Sequence, residues 1–370
     1  MSFDLAVVGG GVVGAAAAYR ATKLGASVVV FDRDDVGRAT NAGAGVVAPA
    51  VSSMVSAPWH DLAAKSARAY PELVSSLSPA GLDIGYKRVG LLTVAMVDTE
   101  AANQQFDAFV DLVNSRIEQG GHPTGHEIRE ISGEEAKRLF PPLGEAKRAL
   151  LDTGAARVDA RPLAQAMLDA AVEAGADIQR TSVESIDQVF ALGARKVVVA
   201  GGAWSGRFGS ELGVGIPTEP QRGQIIHLQL ADSFGDTTQW PMITELGGQY
   251  QVSWPDGRVA VGATRETGSG FATNSTVEGV LDVLNEAVRV SPRLAGAAIS
   301  EIRVGMRPLT PDQLPVLGEV PGHPDVMLAT GHGPTGLMTG HYSGRVVADL
   351  ALGQAVDIDL DPFRVDRIYH

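Results

Sequence analysis

The first 32 residues constrain this chain more than any other stretch. Phe3-Asp4-Leu5-Ala6-Val7-Val8 is a short apolar run of the kind buried inside a parallel sheet. Gly9-Gly10-Gly11-Val12-Val13-Gly14 follows and matches G-x-G-x-x-G. A helix rich in small residues is expected from Ala15 to Leu24, stopped by Gly25, and a second β-rich run from Ser27 to Phe31 ends on Asp32. Each part has a physical task. Gly9 permits the tight turn out of the strand, Gly11 lets a pyrophosphate approach the backbone, and Gly14 lets helix and strand pack closely. The helix N-terminus offers free N–H groups and a positive dipole end. Asp32, 18 residues after Gly14, stands where a carboxylate accepts bonds from ribose hydroxyls. Strand, glycines, helix, second strand and terminal acid in this order specify a site for the ADP half of a dinucleotide.

Composition removes several classes. With 370 residues, 45% of them hydrophobic, the chain can bury a large core and has the length of two domains. It contains no Cys, which excludes disulfides, thiolate metal sites, Cys nucleophiles and a cysteinyl flavin link. A net charge of −13 argues against nucleic acid as a partner, and no metal site is expected. No apolar run approaches the roughly 18 residues of a transmembrane helix. The first strand begins at Phe3, leaving no room for a signal or transit peptide, so a cytoplasmic location is the expectation.

NAD and FAD share the N-terminal unit, and three later segments favour FAD. Arg38-Ala39-Thr40-Asn41-Ala42-Gly43-Ala44-Gly45-Val46-Val47-Ala48-Pro49 is a run of small residues against which a flat, extended ligand can lie, where a nicotinamide fold would move on to its next crossover helix. Lys196 to Val199 reads as a later strand of the same sheet, with Ala200-Gly201-Gly202-Ala203-Trp204-Ser205 turning into a helix. Val326 to Thr330 is another strand, followed by Gly331-His332-Gly333-Pro334-Thr335-Gly336 and an apolar helix from about Leu337 to Leu352. A helix N-terminus there suits the negative charge that reduced flavin carries near N1 and its C2 carbonyl. His332 is either a neighbour of the flavin or a loop His bonded to backbone.

With these motifs the chain resembles the D-amino-acid oxidase superfamily of FAD-dependent oxidoreductases. Tyr250 followed by Gly257 to Thr264 is similar to its glycine oxidases. Asn41-Ala42-Gly43, Pro58-Trp59 and Gly331-His332-Gly333-Pro334 are similar to its D-amino-acid dehydrogenases. The resemblance implies FAD contacts at Val12, Val13, Asp32, Arg33, Thr40, Ala44, Gly45 and Val46, with the Val183 backbone meeting the adenine. Gly9, Gly11, Gly14, Asn41, Ala200, Gly201, Trp204 and Gly331 complete the expected cofactor set. His332, Gly333, Pro334, Thr335, Gly336, Leu337 and Met338 would line the ring system. Glycine oxidases carry an Arg where this chain has Pro334, and an apolar residue where it has Arg265.

Within that resemblance, Val304-Gly305-Met306-Arg307-Pro308-Leu309-Thr310-Pro311-Asp312 looks like the segment whose Arg binds the substrate carboxylate. The chemistry suits Arg307, because a planar fork meets a planar carboxylate with two parallel hydrogen bonds. The alternative is a surface Arg anchoring the turn to Asp312. Tyr250, on an expected hairpin of 249–263, resembles the family's second carboxylate ligand; the alternative is an ordinary half-buried sheet Tyr. Arg265 either selects an acidic side chain or is simply solvated, and solvation is the preferred expectation. Met54, Trp59, His60 and Trp240 either line the pocket or fill the core, core being commoner for Met and aromatic residues.

The expected activity is oxidation of a small amino acid, D-configured or glycine-like, to an imine that hydrolyses to a 2-oxo acid and ammonia. Electrons then pass to oxygen, a quinone or another carrier. N-methyl or cyclic amino acids such as sarcosine or proline are a second reading, decided by pocket volume near Tyr250 and Arg307. A nicotinamide-dependent dehydrogenase or a non-catalytic nucleotide-binding module is a third, decided by the colour of the protein. A homo-oligomer is compatible with all three. The expected fold is α/β: a discontinuous Rossmann-type FAD-binding domain (1–85, 145–215 and 305–370) plus an α+β substrate domain on an antiparallel sheet (86–144 and 216–304). Strands at 90–94 and 223–230 and helices near 101–119 and 276–290 are assigned to the latter, both helices on one face.

Overall fold

The computed structural model describes residues 2–77, 83–119 and 126–369. In chain order its first nine strands are β1 (Phe3–Val8), β2 (Val28–Phe31), β3 (Val46–Val47), β4 (Lys87–Arg88), β5 (Leu91–Ala95), β6 (Ile128–Ile131), β7 (Arg148–Asp152), β8 (Ala156–Arg157) and β9 (Asp177–Gln179). The remainder are β10 (Ala194–Val199), β11 (Glu219–Gln229), β12 (Met242–Glu245), β13 (Tyr250–Ser253), β14 (Arg258–Gly262), β15 (Glu266–Thr267), β16 (Ala298–Leu309), β17 (Val316–Val320) and β18 (His323–Thr330). The α-helices are α1 (Val12–Lys23), α2 (Ala57–Leu77), α3 (Glu100–Glu118), α4 (Gly133–Leu139), α5 (Ala160–Glu173), α6 (Ile186–Ala191), α7 (Val277–Val290) and α8 (Gly336–Ala351).

One sheet has the order β17-β18-β10-β1-β2-β9. Its strands run parallel from β18 to β9, and β17 alone is antiparallel. The chain's first strand therefore lies inside the sheet, which is why it is apolar at almost every position rather than alternating. Leu5 and Val7 pack with α1, α5 and α8, whereas Ala6 and Val8 pack with α6 and Phe208 on the opposite face. Helix α1 starts at Val12, three residues before the expected Ala15, because Gly14 fits inside its first turn. A β-carbon on Gly14 would meet the Gly9 carbonyl at 1.8 Å, and Gly9 itself has φ +110°. Only glycines allow the helix to sit this close to the end of β1.

The second sheet, nine-stranded among the described residues, has the order β15-β11-β14-β13-β12-β5-β7-β6, with β16 on the other edge of β11. It is mostly antiparallel; β5 and β12 run parallel. Strand β5 shows how it is covered. Leu91 and Ala95 cluster with Phe106 and Val113 of α3, and Leu92 and Val94 with Val283 and Ala287 of α7. The two helices thus cover opposite faces, correcting the expectation that both lie on one. A strand buried at every position requires an apolar layer on each side. Arg148–Asp152, placed with the flavin unit by the expected boundary at 145, pairs instead with β5 and β6 in this sheet. A small third sheet, β3-β8-β4, stands apart from both. No described helix is long and apolar enough to cross a membrane.

Candidate active site

The parallel strands β1, β2, β10 and β18 all deliver their following turns to one end of the sheet, where open α/β sheets bind ligands. These turns line a single cavity of about 1230 Å³. One arm of it is walled by Gly9, Gly11, Val12, Val13, Asp32, Arg33, Thr181, Ser182, Val183, Ala200, Gly201 and Trp204. The middle is walled by Thr40, Ala44, Gly45 and Val46 and by the run His332 to Met338, which contains Gly333, Pro334, Thr335, Gly336 and Leu337. The far arm carries Thr93, Tyr250, Arg265 and Arg307. Three residues of the expected cofactor set lie off the wall. Gly14 is packed on the Gly9 carbonyl, Asn41 turns its carbonyl to the Arg161 Nε at 3.0 Å, and Gly331 (φ +77°) is a hinge at the end of β18.

Neither α1 nor α8 has an acidic residue in its first turn, so no carboxylate of either turn competes there with an anionic ligand. Asp32 is fixed from three sides. Its carboxylate accepts from the Gly10 N–H, from the Asp34 N–H at 2.6 Å, and from Arg38 Nη1 at 3.0 Å. Arg38 also pairs with Asp34 at 2.6 Å, and Arg33 pairs with Asp35. The Thr40 hydroxyl accepts from the Val12 N–H at 3.1 Å, tying the small-residue segment to the start of α1.

His332 is 3% exposed, and its Nε2 has no hydrogen-bond partner among the described residues. Burial pulls its pKa down to about 4, so it is neutral at pH 7. Its turn is braced by the Trp59 indole N–H, which donates to Thr335 Oγ1 at 3.2 Å, and by the Thr335 hydroxyl, which donates to the His332 carbonyl at 2.9 Å. Trp59 is otherwise core, as is Trp240 beside Phe140 and Phe234. Met54 reaches the cavity; His60 bonds the Met54 carbonyl at 2.7 Å.

Strand β16 carries Arg307 into the far arm. It is pinned to the cofactor-side loop where the Met306 N–H donates to the Gly37 carbonyl at 2.8 Å. Arg307 Nη1 donates to the Thr264 carbonyl at 2.9 Å and reaches Gln221 Oε1 at 3.5 Å, and the Tyr250 hydroxyl lies beside the guanidinium. These partners are neutral, and no carboxylate pairs with Arg307 among the described residues. Asp312, the alternative anchor, is held by Arg367 at 2.9 Å. Burial lowers the Arg307 pKa from its ordinary value, yet a guanidinium remains charged at any working pH. Tyr250, the half-buried first residue of β13, has its pKa raised by burial, opposed by Arg307 and Arg265.

Several wall residues had no sequence signal. Thr93 on β5 is 1% exposed, its hydroxyl without a partner among the described residues; Gln105, Phe109 and Leu112 come from α3; Asp282, Glu286 and Arg289 come from α7. Nothing marks them until two helices and a strand from distant parts of the chain converge.

The cavity fits FAD on its own features: two helix N-termini free of acids, a glycine cradle, and a neutral buried imidazole with an orphaned nitrogen. The family model described as FAD dependent oxidoreductase, DAO, matches residues 4–350. The chain is 36% identical to the uncharacterized oxidoreductase YurR of Bacillus subtilis (strain 168), covering 96% of this chain and 97% of that one. It is 30% identical to glycine oxidase of Geobacillus kaustophilus (strain HTA426), covering 99% and 97%. The crystal structure of iminodiacetate oxidase (IdaA) from Chelativorans sp. BNC1 superposes with a TM-score of 0.89 at 35% identity, covering 98% of each chain.

Proposed function

The chain belongs to the DAO family of FAD-dependent oxidoreductases, and from that premise we propose that it oxidises the C–N bond of a small amino acid of the glycine type, with a primary or N-substituted amine. The carrying observation is the uncompensated positive charge of Arg307 in the arm of the cavity beyond the His332 turn. A half-buried cation without an anion is costly, and a substrate carboxylate supplies the missing partner. The glycine oxidase and iminodiacetate oxidase relatives support a substrate with a glycine skeleton.

In this reading Arg307 binds the carboxylate through its fork while Thr264 and Gln221 hold the guanidinium in plane. Tyr250 adds a hydroxyl and covers the ligand with its ring. Gly9, Gly11, Val12, Val13, Asp32 and Val183 hold the nucleotide end of FAD, and His332 to Met338 border its ring system. Bound FAD supplies the acceptor for the hydride that leaves the substrate α-carbon. The amine must reach the site neutral, and the imine then takes up water to give a 2-oxo acid and ammonia or an amine. His332, neutral at pH 7, adds no positive charge to this region.

The test is anaerobic bleaching of the flavin band near roughly 450 nm by glycine, sarcosine, iminodiacetate, proline and both alanine enantiomers. Bleaching by at least one amino acid is expected, with peroxide released on admitting air if oxygen is the acceptor. A yellow, folded protein that none of the panel bleaches overturns the reading.

A further inference from the structure

Resting on the amine-oxidation reading, we propose that Arg265 forms a second carboxylate subsite. The substrate is then an amino-dicarboxylate, one carboxylate held by Arg307 and the other by Arg265.

Arg265 follows Thr264, the residue whose carbonyl accepts the Arg307 bond, so the Arg265 side chain leaves the backbone one residue from the point that holds the Arg307 guanidinium. Both line the cavity. They are close enough for the Arg265 charge to lower the pKa of Arg307 and of Tyr250. Arg265 is exposed and makes no ion pair or hydrogen bond among the described residues.

Three of the neighbouring acids are committed to other cations. Glu266 is held by Arg222, by Gln224 Nε2 at 2.7 Å and by the Thr264 hydroxyl at 2.6 Å. Glu245 and Glu286 both hold Arg289, whereas Asp282, on α7 at the same cavity wall, makes no ion pair with Arg265 among the described residues. Two like charges facing one cavity repel, and only an anionic ligand reverses the sign of that interaction. Arg307 alone would satisfy one carboxylate, so Arg265 is surplus to a monocarboxylic substrate. An Arg needed only for solvation has no reason to face this wall beside Arg307 and Tyr250.

The experiment uses the FAD-loaded full chain and two amine-free probes, oxydiacetate and methoxyacetate, which share one –O–CH2–COO⁻ arm and differ by the second carboxylate. Binding is measured by calorimetry. Oxydiacetate should bind about tenfold or more tighter than methoxyacetate, the scale of one charge-assisted contact. Arg265→Gln should bring the two affinities to near equality, and Arg265→Lys should restore part of the preference. Turnover should follow, the kcat/KM ratio of iminodiacetate over sarcosine falling in Arg265→Gln by a similar factor. Equal binding of the two probes, or a preference that survives Arg265→Gln, overturns the second subsite while leaving amine oxidation standing. Failure of every amine to bleach the flavin removes the underlying reading instead.

Discussion

The guanidinium of Arg307 lies directly on Gly223: a β-carbon added there would fall 2.4 Å from Nη2 and 2.5 Å from Cζ and Nη1. The two residues sit on neighbouring strands, Gly223 opposite Gly305 and Gln221 opposite Arg307. The missing side chain on β11 is what lets the fork settle flat against the sheet. Gly223→Ala should therefore push the guanidinium off its position without touching the nucleotide end. A displacement near 1 Å in a positioning group costs on the order of 100-fold in rate. Steady-state kcat/KM should fall by about that factor while FAD content and melting temperature stay close to wild type. Wild-type kinetics in this variant would mean that the observed seat of Arg307 is not the one the reaction uses.

Arg307 itself separates charge from shape. Arg307→Lys keeps a cation but loses the fork, and the expected loss in kcat/KM is about 10- to 100-fold. Arg307→Ala should lose more, about 2–5 kcal/mol of transition-state stabilisation. Both should purify yellow. Equal activity of the Lys variant and wild type would show that the site reads charge alone.

Much of this was legible in the chain, for a physical reason. A dinucleotide cradle is local: Gly9 to Asp32 lie within one β-α-β unit, so spacing alone locates them. The turns after β10 and β18 were legible because each follows an apolar strand and breaks it with glycines. Thr93, Phe109 and Glu286 were not, because a pocket wall made by a sheet and two helices has no sequence spacing. Helix α2 was missed for another reason. Pro71 lies inside it, and an interior proline reads as a break although here the helix runs on to Leu77. Trp59, read as a motif residue that either lines the pocket or fills the core, is the brace on the Thr335 hydroxyl.

Asp32 should govern how tightly FAD is kept. Its carboxylate is bound to the Gly10 N–H and to Arg38, so it shapes the glycine turn as well as facing the cavity. Asp32→Ala leaves Arg38 with Asp34 alone and frees the Gly10 amide. The loss of charge-assisted contacts, each about 1.5–3 kcal/mol, should weaken FAD at least tenfold. The readout is flavin fluorescence released on dilution. Unchanged retention would assign Asp32 to turn structure only.

Stability should depend on pH through three buried histidines. Burial holds His332 and His341 at a pKa of about 4 and His227, beside Arg303 and Arg258, at about 3. All three are depressed below the unfolded value of 6.5, so the unfolded chain binds more protons in the window between. Stability is full above pH 6.5 and falls as pH drops toward 4. Each histidine should remove about 2 kcal/mol between pH 7 and pH 5. Denaturant melts at the two pH values measure the sum, and His332→Gln should flatten the dependence by about one histidine's share. An unfolding free energy that is level from pH 7 to pH 5 would contradict neutral burial of these rings.

Arg116 should control the pocket from outside it. It is 6% exposed on α3 and has no acid partner among the described residues; its guanidinium donates to the carbonyls of Ala50 at 3.0 Å, Ser52 at 2.6 Å and Met54. The segment it grips has no regular structure, yet Val51, Ser52, Ser53 and Met54 form part of the cavity wall. One side chain thus replaces the ladder that a strand would have provided. Arg116→Met preserves the bulk but leaves three carbonyls to find other donors, at about 1–3 kcal/mol for each that stays buried. The melting temperature should drop by several degrees, and KM should rise more than kcat falls, because the wall loosens while Arg307 and the His332 turn remain in place. Arg116→Lys should recover little of either, since one ammonium does not span three carbonyls as a two-armed guanidinium does. If the Met variant melts like wild type but still loses substrate affinity, the grip serves the pocket alone; if neither property changes, the segment is held by something other than Arg116.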